Sequence, residues 1–319
     1  MKKRLFAKKN PVSFSITDPS DHFHYLGYHG TLLSGVSHRW KEPLERKGYV
    51  EDAKICEKMF KTPGFSANTD KVIVGLKIYL IDAMNSTNLV KQKSIVTVKR
   101  LSEIIVSEKR FDTWLKNGDT KAVTFLIRRV SLIAQRKKKK LEIFSFASKY
   151  CFYHYRYLYQ KKAKGIIGAY SIYDSLMEKY LQDYPHGPKQ SKIIGWKKKG
   201  PSGYVLYNNA LEKMLILNGC GSRQGARREL DQLVWWEGRK KDKLESYLDD
   251  MVKTYDCLQS GSSGKSKTAW GELTRNKPDC ATLCMAQSDF DKTLAESLKR
   301  LERGRSKGQR TPKEIWLLF

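Results

Sequence analysis

In DKLESYLDDMVKTYDCL, residues 242–258, the apolar side chains fall at Leu244, Tyr247, Leu248, Met251, Tyr255 and Leu258. Steps of three and four align on one face only in an α-helix, so the spacing fixes a helix with a single buried stripe. The spacing recurs in DTKAVTFLIRRVSLIA, at Val123, Leu126, Ile127, Val130 and Ile133, after an Asn-Gly-Asp turn. It returns at Phe144, Ala147, Cys151 and His154, and again at Leu211, Met214 and Leu215, ahead of an Asn-Gly stop at Asn218 and Gly219. The chain therefore reads as mainly α. The helical core is expected over residues 69–258, after a small N-terminal extension, 1–68, in which PVSFSIT alternates with the period of a short strand. QSGSSGKSKT predicts a flexible linker or loop at 259–268, followed by a basic helical tail, 269–319. In that tail Ser288 with Asp291, and Thr311 with Pro312 and Glu314, carry helix-start signals.

Charge limits the partners. Lys and Arg number 61 against 33 Asp and Glu, a formal net charge of +28. Such an excess repels itself and is most simply balanced by a polyanion, either nucleic acid or an acidic membrane surface. Each basic run alone is a solvated face; what matters is that the runs recur along the chain with aromatic residues beside them. Trp196 precedes Lys197, Lys198 and Lys199, a Trp pair precedes Arg239 and Lys240, and tyrosines surround Arg156. Lys and Arg neutralise phosphates and exposed rings stack on unpaired bases. Tyr150, Tyr153 and Tyr173 join these residues as candidate nucleic-acid contacts, with DNA placed ahead of RNA.

Other classes fall away. No apolar run reaches the roughly 18 residues of a membrane span, and the basic start lacks the apolar stretch of a signal peptide. Six scattered cysteines in so long a chain predict reduced thiols and a cytoplasmic protein. The GKS at 264–266 lacks the upstream glycine of a phosphate loop, since position 259 is Gln. His22 and His24 beside Asp21 lack a third and fourth ligand, so neither metal nor cofactor is expected.

The stretch from Glu142 to Leu181 gathers eleven Phe and Tyr residues around a single Asp174. In SIYDSLMEKYL, Ser175 and Glu178 have capping-box spacing and Asp174 sits where the helix dipole favours a carboxylate. Capping explains Asp174 completely. A carboxylate walled by aromatics at a helix start is also suited to stabilising a cationic sugar or activating a water.

FSFASKYCFYH and YSIYDSLMEKYL, with IDAMNSTNLVKQKS before them and RRELDQLVWWEGR after, resemble an uncharacterised bacterial family with a SFASKYC…YSIYDS signature, over roughly residues 72–240. More distantly, a small-residue helix, a loop and an Asp opening the next helix are similar to the helix-hairpin-helix DNA glycosylase superfamily. That resemblance implies a glycosylase-like helical core and a role in DNA repair. Asp174 would stabilise base release, with Lys149 or Lys140 as a loose counterpart of the lyase lysine, and the base would be extruded into a pocket. No Leu-Pro-Gly-Val-Gly hairpin precedes the helix. Cys280 and Cys284 lack the spacing and the outer partners of an iron-sulfur loop. Two further classes fit the chain: a non-catalytic DNA- or RNA-binding module acting in phage defence or regulation, and a helical protein interaction domain.

Overall fold

The computed structural model describes residues 49–85, 89, 96–137, 143–159, 169–219, 226–260, 264–279, 283, 287–303, 305 and 309–318. Among them there is no strand, and the mainly helical expectation holds. PVSFSIT, the His22 and His24 pair, Lys140, Cys280 and Cys284 lie outside the described residues. Two compact units divide between Val234 and Trp235.

The first unit is assembled around one helix. In α1 (Tyr49–Lys61), α2 (Lys71–Asn85), α3 (Val98–Ser107), α4 (Phe111–Asn117) and α5 (Lys121–Arg136) an apolar face is buried, while Val72, Leu76 and Tyr79 of α2 are exposed. In α6 (Phe144–His154) almost every side chain is buried. A helix that is apolar on all sides belongs at the centre of a core. Helices α2 and α5 pack on α6, and α9 (Pro201–Leu217) packs on α5. The core begins before residue 69, because Cys56 and Phe60 of α1 are fully buried and Phe60 meets the His154 ring edge-on at 4.6 Å.

Asn68 anchors one side of α6. Its Oδ1 accepts from Tyr150 Oη at 2.6 Å and Lys77 Nζ at 3.2 Å, and lies 3.0 Å from His154 Nε2. Burial holds the His154 imidazole well below its ordinary pKa and brings the Lys77 amine down to about 8.

Between α6 and α7 (Ser175–Tyr180), residues 169–174 run without helix. Buried peptide groups there need partners, and α9 supplies them from one face. The Ser171 amide donates to Asn208 Oδ1 at 2.9 Å, Tyr204 Oη donates to the Ser171 carbonyl at 3.0 Å, and Tyr207 Oη to the Ile172 carbonyl at 2.6 Å. Ser148 of α6 accepts from the Tyr173 amide at 3.0 Å. Arg227 locks the arrangement, its guanidinium donating to Ser171 Oγ, to Asn208 at its carbonyl and Oδ1, and to Glu212.

Helix α8 (Gln190–Lys198) meets α9 at a very close approach. A Cβ on Gly203 would lie 1.7 Å from the Trp196 carbonyl oxygen. Backbone cannot yield as a side-chain tip does, so Gly203→Ala is expected to cost about 3 kcal/mol, the upper part of the overpacking range. Chemical denaturation measures it, and a change below about 0.5 kcal/mol, the range of ordinary surface substitutions, would refute the close approach.

In the second unit, the part of α10 (Ala226–Gln259) from Trp235 onward packs the stripe expected from sequence. Leu244, Leu248, Met251 and Tyr255 form a core with Leu283, Phe290 and Leu298 and with Ile315 and Trp316 of α13 (Pro312–Trp316). The Thr311 capping box forms as expected. Two expectations change here. The Ser/Gly stretch enters α11 (Gly264–Arg275) at Gly264, so 264–268 is helical and not a loop. Helix α12 (Gln287–Glu302) starts two residues before the position a Ser288 cap would give, which puts Ser288 inside its first turn.

Candidate functional site

Asp174 is the cap of α7 itself. Its backbone is extended and its Oδ1 accepts from the Met177 amide at 2.9 Å, so the cap falls one residue before Ser175. Glu178, expected to reach back to a Ser175 cap, instead accepts from Tyr173 Oη and lies 3.5 Å from Lys197 Nζ. Tyr173 is held on its other side by the rings of Phe144 and Tyr207.

The second oxygen of Asp174 faces a cation. Lys149 Nζ stands 3.4 Å from Asp174 Oδ2, with side chains only 8% and 14% exposed. Twenty-five positions separate the two residues, and they come from α6 and the start of α7. Ser148, next to Lys149, fixes the Tyr173 amide next to Asp174, so neighbouring backbone is pinned at the same place. The pair is therefore built into two fixed elements.

A third group feels the charges of this pair, and the sequence reading missed it. Burial, then the Asp174 charge, pushes the Asp231 carboxyl on α10 up to about 8, against the opposing pull of Lys149 and Arg156. Burial, Asp174 and Asp231 also raise the Tyr207 phenol. Asp231 sits in RRELDQLVWW, where it reads as an ordinary polar position on an amphipathic helix. Only the charges facing it from other elements distinguish it.

The remaining candidates are dispersed. Tyr150 is fully buried with its hydroxyl on Asn68, so it is a core residue and not a pocket wall. Tyr153 stacks on Tyr157 at 5.9 Å, and Arg156 lies over the Tyr157 ring at 5.4 Å. Both belong to the end of α6 and the π-helical turn Tyr155–Tyr159 that extends it. Trp196 is buried, with Lys192 over its ring, whereas Lys198 and Lys199 are exposed. In the second unit Arg239 covers Trp235, and Lys240 is buried against Glu237 at 3.1 Å. No group of three or more His, Cys, Asp or Glu among the described residues is placed to hold a metal. No described helix is long and apolar enough to cross a membrane.

Fold and site together define a mainly helical, strongly basic protein with a buried lysine–aspartate pair at a helix start. Residues 32–158 match the model of a family described as an N-terminal domain, a description that names no activity. The match takes in Lys149 and the FSFASKYC half of the signature and ends before Asp174, consistent with the uncharacterised bacterial family expected from sequence. No curated protein and no solved structure matches the chain.

Proposed function

We propose that the protein binds nucleic acid and acts on an extruded nucleotide with glycosylase or lyase chemistry, on a core of glycosylase-like architecture. The observation that carries this reading is the 3.4 Å approach of Lys149 Nζ to Asp174 Oδ2 in a chain of net charge +28. An amine beside a carboxylate is the pair that such a reaction requires. In the ion pair the ammonium has no lone pair, so Lys149 must first pass a proton to water, since the Asp231 carboxyl, raised to about 8, is already mostly protonated near neutral pH. The free amine then forms a bond to C1′ of the sugar while the bond from C1′ to the base nitrogen breaks. The base leaves with the electron pair and takes up a proton. Asp174 stabilises the positive charge that develops on the sugar ring.

The test uses an oligonucleotide with an abasic site. The Lys149 amine and the sugar aldehyde condense to an imine with loss of water, and borohydride reduces the imine to a stable amine. A covalent adduct mapped by mass spectrometry to Lys149 in the unmodified protein is the expected result. An adduct on another lysine overturns the assignment.

A non-catalytic binding module is favoured by one observation, the double occupation of Asp174 by Met177 and Lys149. Binding with no adduct on any abasic substrate, and no base release from damaged oligonucleotides, would select that module.

A further inference from the structure

Helix α5 buries one face and lines the other with arginine. Arg129 and Arg136, with Arg100 of α3 and Lys71 at the start of α2, line a cleft of about 440 Å³ floored in part by Leu132 and Ile133. Leu132, 44% exposed, also lines a second cleft with Arg128 and Lys199. The α5 residues of the two clefts are offset by one position, so the clefts lie side by side across the ridge that Leu132 forms.

Carboxylates do not balance this face. Glu103 is the acidic residue in the first cleft, and it is held by Arg100 at 3.0 Å. Among the described residues the second cleft has no acidic lining residue, and α5 itself contains no Asp or Glu. Among the described residues no carboxylate is paired with Arg128, Arg129 or Arg136. An exposed helix usually offsets such charges with partners three or four positions away.

We infer that α5 and its two clefts form a track for the phosphodiester backbone of a nucleic-acid strand. Guanidinium forks match phosphate oxygens two at a time, and the leucine ridge between them suits sugar faces. Two adjoining clefts fit an extended chain better than a compact ligand that would fill only one. Among the described residues neither cleft is lined by an aromatic ring, so the track holds backbone without stacking bases and is indifferent to sequence. The inference rests on the nucleic-acid reading above and assigns that reading a surface that takes in Lys199 but not Trp196 or Lys197.

The experiment measures affinity for single-stranded and duplex oligonucleotides against salt. It compares the full chain, a triple variant Arg100→Gln, Arg129→Gln and Arg136→Gln, and a control of equal charge, Lys253→Gln, Lys292→Gln and Lys299→Gln in exposed positions of the second unit. Loss of three phosphate contacts should make the log–log salt slope shallower by about 2 to 3 and weaken binding at least tenfold, with the control little changed. Wild-type binding with the same slope in both triple variants overturns the track and leaves the nucleic-acid reading standing. Absence of wild-type binding at low salt overturns both. Equal affinity for poly-glutamate would assign the surface to acidic peptide and overturn the track.

Discussion

Lys149→Met should lower the unfolding free energy by about 3–5 kcal/mol at pH 8, the usual cost of removing one partner of a buried ion pair. Both side chains of the pair are mostly shielded from water, so the discount applied to surface pairs is small. The loss should shrink as the pH falls. Burial and the Asp174 charge raise the Asp231 carboxyl in the folded chain to about 8, far above its unfolded value of about 3.9. Its contribution to stability is thus complete below about pH 4 and is lost as the pH rises through about 8. Without Lys149 the folded carboxyl moves higher still, so the window of falling stability extends further into alkali. Adding Asp174→Asn to Lys149→Met should recover most of the loss, since the amide keeps the cap on Met177 and removes the unpaired charge. Urea denaturation between pH 5 and 9 measures all three proteins. A cost below about 1 kcal/mol for Lys149→Met, typical of an exposed pair, would mean that the pair is solvated and that the site is not built as described.

Arg227→Met should cost about 2–4 kcal/mol, because one buried guanidinium serves several acceptors and hydrogen bonds to a charged donor contribute most when buried. Its side chain is only 3% exposed. The effect should be local before it is global. Ser171 loses its Oγ partner and Asn208 two contacts, so the Ser171 and Tyr173 amides should exchange with solvent hydrogen faster than those at the centre of α6. Arg227→Lys should recover only part of the stability, as one ammonium cannot reproduce the planar fork. Unchanged amide exchange in Arg227→Met would mean that Tyr204 and Tyr207 alone hold the segment that delivers Asp174.

The aromatic crowd around Asp174 shows why sequence and site diverged. Eleven rings in one stretch suggest a pocket, yet Tyr150 and Tyr170 are core, and Tyr204 and Tyr207 of α9 secure the backbone before Asp174. A tyrosine has an apolar ring and a polar tip, so its type alone fits core, clasp and pocket equally well. Trp196 and Lys240 illustrate the same ambiguity, since both looked available to a nucleic acid and both are buried.

The helical class, the stripe from Leu244 to Tyr255, the Thr311 box and the capping position near Asp174 were determined by the sequence itself. These are local properties: a helix period and a cap depend on residues within a few positions of one another. Tertiary structure alone decided that Lys149 meets Asp174, that their charges act on Asp231 of α10, and that the arginines of α5 share clefts with Arg100, Lys71 and Lys199. Those associations depend on which faces are driven together when distant apolar stripes are buried. Charge and hydrogen-bond requirements then act only on the side chains that packing has already brought within reach.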